Sequence, residues 1–559
     1  MSETNDSLAK EKEILKSVEN APTSEKLLTY TKLSGPGWLQ GAITLGGGSL
    51  GGSLFLGIIG GTELLWLQPM MMIFGIIMLS VIGYVTLSTG KKPFQAINEH
   101  INPVLGWGWL IAAMLANLVW AMPQFSLGTA AMTQNLNLLP DGDTGKYIGA
   151  VILFTIGTLV VLMYDSKWAK YFDVILKVMV GIVVVSFFGV VAVMASELNW
   201  GAVFSGFIPN PSLLSQPVSG LQPFIEASSD SEYWTNVVMS TQKDKMIAAA
   251  ATAVGINMTF LLPYSMLRKG WGREHRGLAS FDLGIGLFVP FFLATTCVMI
   301  AAASQFHGKF NEGLIDPNSE REVPGKIQKA YDGNLEKFNA HLKVQAEKSG
   351  GALKEPTIED KKMAAMLVNR DAFQLANSLQ NLTGNKTISQ TVFGIGVLGM
   401  AVSTIIILML INGFCLSEAF GTNLSGPVHK IGSVLPGITG ALGYLFIWGK
   451  GNDFLLTIPT SVFGMVLLPV AYFTFFCMVN SKSLLGEDIP KGGKRVALNI
   501  AMGFATVAAT IGAWAAIKSK TGDKAIFIVG GFLLLVLIGH FYRKSKQDAV
   551  SQVEDKSEE

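Results

Sequence analysis

Residues 46–52 read Gly-Gly-Gly-Ser-Leu-Gly-Gly, five glycines in seven positions, inside an apolar stretch from 36 to 60. A stretch of that length can cross a bilayer as a helix. Each glycine removes roughly 1 kcal/mol of helix propensity relative to alanine, and lipid cannot satisfy backbone groups that unwind. A break here must therefore line a cavity inside protein, unless the glycines serve close helix packing instead. The run thus limits the chain to folds in which span 1 is enclosed by other spans.

The rest of the chain supplies those spans. Half of its 559 residues are hydrophobic and 15% are charged, and the mean hydropathy is +0.43, outside the ordinary range of soluble domains. Apolar runs of about 20 residues place twelve spans, at 36–60, 64–88, 104–134, 147–164, 170–195, 245–267, 281–304, 390–412, 433–449, 454–479, 495–517 and 524–542. Residues before 34 are polar, with no short apolar core and cleavage site, so no cleavable signal peptide is expected. The resulting organisation is a tail at 1–33, spans 1–7 over 34–304, a hydrophilic insert at 305–388, spans 8–12 over 389–543 and a tail at 544–559.

Lysines and arginines fix the expected orientation. Lys91 and Lys92, Lys167 and Lys170, Arg268, Lys269, Arg273 and Arg276, the 482–495 cluster, and Arg543, Lys544 and Lys546 all fall on the side of the N-terminus. Lys518, Lys520 and Lys524 dissent. The positive-inside rule then puts both termini in the cytoplasm of a multi-pass cell-membrane protein. The insert lies outside, with Ile327, Tyr331, Leu335, Phe338 and Leu342 at helical spacing. It reads as a helical cap, either a solvated structural loop or a substrate-capturing device.

Several classes are excluded. A formal net charge of +2 and the absence of an aromatic-interleaved basic patch argue against nucleic acid. Cys297, Cys415 and Cys477 lie in apolar segments and suggest neither a disulfide framework nor a zinc cluster. The six histidines are scattered without a nucleophile or ligand set, so neither an enzyme nor a cofactor is expected. The sequence sets no oligomeric state; the partners it implies are a bilayer and a small ion or solute.

Span 6 carries a second interruption, Gly255-Ile256-Asn257 followed by Pro263. Five spans separate it from the glycine run, so the two broken helices cross the membrane in opposite directions. Paired breaks in inverted repeats are the best sequence pointer to a transporter site, where free carbonyls and half-helix ends bind the substrate.

At these positions the chain resembles the Nramp family of proton-coupled divalent-metal transporters. Gly35-Pro36-Gly37 opens span 1 and Leu64-Leu65-Trp66 opens span 2 at that family's spacing. Phe281-Asp282 begins span 7, with Ala301-Ala302-Ala303 and Phe306-His307 closing it. Phe393-Gly394-Ile395-Gly396 with Ser403-Thr404 resembles span 8, and Leu468-Pro469 with Leu484-Leu485-Gly486 the end of span 10. The resemblance implies an all-α, LeuT-type fold of two inverted five-helix repeats plus two C-terminal helices, working by alternating access.

The departures fall on the metal-binding motifs. Gly46, Gly47, Gly48 and Ser49 stand where the family has Asp-Pro-Gly-Asn, and Gly255-Ile256-Asn257 aligns with its Met-Pro-His. Met258 is close to the family's methionine position without aligning to it. The acidic residues of family span 3 are replaced in Trp120-Ala121-Met122-Pro123-Gln124-Phe125-Ser126-Leu127-Gly128, and the span 10 glutamine aligns with Ser461. Glu63, Asp173, Asp282 and Glu418 fall near expected span ends, leaving no ionisable group near a midplane. The candidate binding residues are Gly46, Gly47, Gly48, Ser49, Gln124, Gly255, Asn257 and Ser461, with Ser49 and Asn257 as candidate metal ligands. Three readings follow: a divalent-cation transporter with an uncharged site, a transporter of a monovalent cation or small neutral or zwitterionic solute, and a non-transporting sensor or scaffold.

Overall fold

The computed structural model describes residues 2–164, 168–316, 318–319, 323–383, 387–448 and 457–558; Lys167 and the expected start of span 10 at 454 lie outside these. The described residues are helical almost throughout. Pro36–Thr44 and Gly47–Gly60 form a pair bent by 53°, spans 1a and 1b. Leu67–Thr89, Pro103–Asn135, Asp143–Met163 and Tyr171–Met194 are spans 2–5. Span 7 is Arg273–Phe306, span 8 Gln390–Ala419, span 9 Pro427–Ile447 and span 10 Thr460–Val479. A stretch from Gly492 to Ser545 holds spans 11 and 12, joined by a turn at Gly522–Lys524.

Span 6 is two helices, Ser231–Ala251 (6a) and Met258–Arg268 (6b), separated by irregular backbone. Helix 6a begins well before the expected span start at 245, with polar residues in its first turns. Lys243, Asp244 and Lys245 therefore lie within helix 6a. Pro263 lies inside the continuous helix 6b and does not interrupt it.

The break in span 1 is also narrower than the glycine run suggests. Only Leu45 and Gly46 leave the helix, Gly46 with an extended backbone (φ −127°, ψ −175°), and 1b resumes at Gly47. The remaining glycines stay helical because neighbours approach too closely for a side chain. A Cβ on Gly52 would fall 3.0 Å from the Ala249 Cα of 6a and one on Gly48 2.6 Å from the Trp120 ring of span 3, and beyond the run a Cβ on Gly57 would fall 2.5 Å from the Met299 carbonyl oxygen of span 7. Both readings of the run thus apply, to different glycines.

Span 1b packs against 6a and span 7, whereas 1a lies against spans 5, 8 and the π-helical turn Gly284–Phe288 of span 7. Spans 3, 8 and 9 pack on one another as a frame beside the broken pair. The start of 1a is fixed by Asp282 of span 7, whose buried carboxylate accepts from the Gly35 and Gly37 N–H groups at 3.1 and 2.6 Å. Two helices, Ser2–Ser17 and Thr23–Leu33, precede it, and Lys12 reaches Glu274 at 2.6 Å.

The insert contributes helices Gly325–Ser349, Ile358–Met366 and Ala372–Thr383. Ile327, Tyr331, Phe338 and Leu342 are buried on one face of the first, with Phe338 5.0 Å from the rings of both Tyr233 and Trp234 of 6a. Asp360 clamps the start of 6a. Its buried carboxylate accepts from the Ser229 and Thr357 N–H and hydroxyl groups and from Trp234 Nε1, at 2.6–3.1 Å.

Candidate functional site

The ends of 1a, 1b, 6a and 6b meet spans 3 and 8 around a cavity with about 50 Å³ of space for the centres of water-sized molecules. One water needs about 10–15 Å³ on that measure, so the space suits a partly hydrated ion or a few waters. The carbonyl ends of 1a and 6a bring partial negative charge to it, and the N–H ends of 1b and 6b partial positive charge.

Ser49, on the first turn of 1b, links the two broken spans. Its hydroxyl donates to the Thr44 carbonyl at the end of 1a and lies 3.4 Å from the Thr252 carbonyl at the end of 6a. Gln124 of span 3 accepts the Gly47 N–H at 2.9 Å, meeting one of the donors that a helix start leaves open. Its Nε2 is buried without a protein partner, a donor left for a ligand or water. Asn257 caps 6b by accepting the Met258 N–H at 3.0 Å, and donates through Nδ2 to Asn117 Oδ1 at 3.1 Å.

Gly46 and Gly48 line the cavity for steric reasons. A Cβ on Gly46 would meet Thr404 Oγ1 at 2.4 Å, and one on Gly48 would meet the Trp120 ring at 2.6 Å. Glycine at these positions keeps the cavity open where spans 3 and 8 press against 1b.

Of the eight residues chosen from sequence, Gly46, Gly48, Ser49, Gln124, Gly255 and Asn257 line this one cavity. Gly47 sits beside it through its bond to Gln124. Ser461 is buried on span 10 but does not line the cavity. Its choice rested on a single aligned position, with no local feature aiming it inward.

Sequence reasoning noted Met258 only as near the family's methionine position and did not choose it, nor Thr44, Thr252, Thr404 or Trp120, all of which line the cavity. Met258 matters most chemically. Its Sδ lies 3.2 Å from Thr44 Oγ1 and 3.3 Å from the Gly255 N, so the thioether faces the junction of both breaks. The available signal was its place directly after Asn257, as first residue of a half-helix. Among the described residues no acidic, histidine or cysteine side chain lines the cavity, and no group of three or more such side chains is placed to hold a metal.

A family model described as natural resistance-associated macrophage protein-like, Nramp, matches residues 37–317 and 360–515. The chain belongs to the Nramp family. It is accordingly a multi-pass membrane transporter rather than an enzyme. The fold agrees with solved relatives: the Eremococcus coleocola manganese transporter bound to an aromatic bis-isothiourea compound is 13% identical, with a TM-score of 0.62 over 94% of this chain and 96% of that one. A histidine-to-alanine mutant of the same transporter gives 14% identity and a TM-score of 0.61, covering 94% and 97%. The shared fold is the LeuT type, two inverted five-helix repeats with two added helices. No curated protein matches the sequence significantly. Residues 318–359, which include the first insert helix, fall outside the family match.

Proposed function

We propose that this Nramp-family protein moves a small metal cation, a divalent one foremost, by alternating access through the neutral cavity at the breaks of spans 1 and 6. One observation carries the reading: Ser49, Gln124, Asn257 and the Met258 thioether, from three different spans, border a single ion-sized space. Carbonyl and hydroxyl oxygens suit hard cations, and a thioether adds preference for manganese and softer metals over magnesium and calcium. Ser49 and Asn257 are the proposed oxygen ligands and Met258 the proposed soft one. With no carboxylate present, water retained on the ion supplies the remaining coordination.

A monovalent cation is the second reading, favoured by the uncharged lining. In the proposed topology both termini are cytoplasmic, and the insert at 305–388 caps the outer side, attached to 6a through Asp360.

Uptake into proteoliposomes of manganese, magnesium, sodium and a panel of amino acids tests this, with Asn257→Ala in parallel. Manganese uptake abolished by Asn257→Ala is the expected result. Uptake of sodium alone selects the second reading, and no cation uptake by the folded protein refutes both.

A further inference from the structure

Lys245 is a buried cation on the face of 6a that leads to the cavity, 7% exposed. Its Nζ lies 4.1 Å from the centre of the Phe55 ring on 1b and donates to Asn369 Oδ1 of the insert at 2.9 Å. Among the described residues no salt bridge to a carboxylate holds it, and the neighbouring Asp244 acts on it through space. Buried lysine without a salt-bridged partner is costly to keep, and packing alone gives no reason for one here, where methionine would fill the same space.

Its position relative to the site follows from helical spacing. Lys245, Ala249 and Thr252 stand at i, i+4 and i+7 on one face of 6a. The same face meets Phe55, Gly52 and Gly48 of 1b: a Cβ on Gly52 would touch Ala249 and Thr252, and one on Gly48 would touch Thr252. Thr252 lines the cavity. At 1.5 Å rise per residue, Lys245 is about 10 Å along the axis from the site, with apolar contacts between.

We propose that Lys245 is a specificity-determining residue of the transporter: its positive charge sets how much cationic charge the neutral cavity accepts, weakening divalent ions more than monovalent ones. The proposal rests on the cation reading given above. Two charges about 10 Å apart at an effective dielectric of about 20 translate into an affinity penalty on the order of 100-fold for a divalent ion and about 10-fold for a monovalent one. An uncharged ligand feels none.

Of the other charges, that of Asp244 opposes this field most directly. Asp244 adjoins Lys245 on the same helix and is half exposed to solvent. Span 1b, span 2 and span 10 bring no charged side chain to 6a within their helices. The helix Gln222–Ala227 carries Glu226, which is exposed, the insert places Arg370 and Asp371 after Asn369, and the charges of span 11 are at its two ends.

The test measures binding of manganese chloride and of thallium(I), a monovalent probe, to the full-length protein by calorimetry, in wild type, Lys245→Met and Lys245→Arg. Lys245→Met fills the same space without charge, whereas Lys245→Arg keeps the charge. The expected result is about 100-fold tighter manganese and about 10-fold tighter thallium binding in Lys245→Met, with Lys245→Arg close to wild type. Manganese binding seen only in Lys245→Met also supports the proposal. Unchanged affinity in folded Lys245→Met overturns it while leaving the cation reading intact, as does an equal change for both ions or the same gain in Lys245→Arg. Absence of binding in all three proteins overturns the cation reading and this proposal with it. If Lys245→Met fails to fold, Lys245→Gln, neutral and polar, takes its place in the same comparison.

Discussion

Asn257→Asp places a carboxylate in the cavity without changing its shape, because the two side chains are nearly isosteric. The substitution removes the Nδ2 donor that now reaches Asn117 Oδ1 at 3.1 Å. Asn117 compensates: its own Nδ2 is buried without a partner, so turning that amide over lets it donate to the new carboxylate. The cap on the Met258 N–H is kept, since the accepting oxygen remains. A divalent ion about 4 Å from the carboxylate gains roughly 8 kcal/mol in gross attraction at an effective dielectric of about 20. Desolvating the carboxylate takes back several kcal/mol. The remainder, about 1–3 kcal/mol, corresponds to a 10- to 100-fold fall in the manganese dissociation constant. Calorimetry with manganese chloride measures it, and a thermal melt in the absence of metal establishes that the variant is folded. Turnover in proteoliposomes should fall at the same time, because a tighter site releases its ion more slowly. Unchanged or weaker manganese binding in a folded Asn257→Asp protein would refute the placement of the cation at the break of span 6.

Three further outcomes follow from the geometry. Gly48→Ala puts a methyl 2.6 Å from the Trp120 ring and 3.1 Å from Thr252 Cγ2, overpacking the site by about 1–3 kcal/mol; the helical circular dichroism should persist while the metal-induced rise in melting temperature disappears. Met258→Leu conserves volume and should cost under about 1.5 kcal/mol of stability, yet it removes the only sulfur lining the cavity among the described residues. Manganese affinity should then drop on the order of tenfold with magnesium affinity unchanged, and parallel loss of both metals would count against a thioether ligand. Asp360→Ala strands the donors of Ser229, Thr357 and Trp234 and should lower stability by about 2–4 kcal/mol, read from thermal melts. Burial pushes the Asp360 pKa upward, but the hydrogen bonds from Ser229, Thr357 and Trp234 outweigh it and hold the carboxyl below its ordinary range. A depressed folded-state pKa means that this stabilisation is complete above about pH 4 and is lost as pH falls further, through the folded value. Tryptophan fluorescence across an acid titration should therefore show a transition in wild type that is blunted in Asp360→Ala.

By itself the sequence determined the membrane environment, the positions of most spans and the fact that spans 1 and 6 are broken. Those properties are written in local hydropathy and in glycine placement, which act within a helix's own length. It also singled out six residues that share one cavity, because residues at a helix break face protein by necessity. Tertiary structure decided what local rules cannot. Most glycines of the 46–52 run remain helical, and their smallness answers to 6a and span 3 rather than to their own backbone. Helix 6a begins at Ser231, ahead of the expected span start at 245, and its packing against span 1b and the insert makes Lys245 a buried charge inside a helix. Met258 becomes a lining group, and Ser461 does not, through the packing of spans some 200 residues apart in the chain. Which side chains converge on a point is a property of that packing, and neither hydropathy nor helix propensity, summed along the chain, carries it.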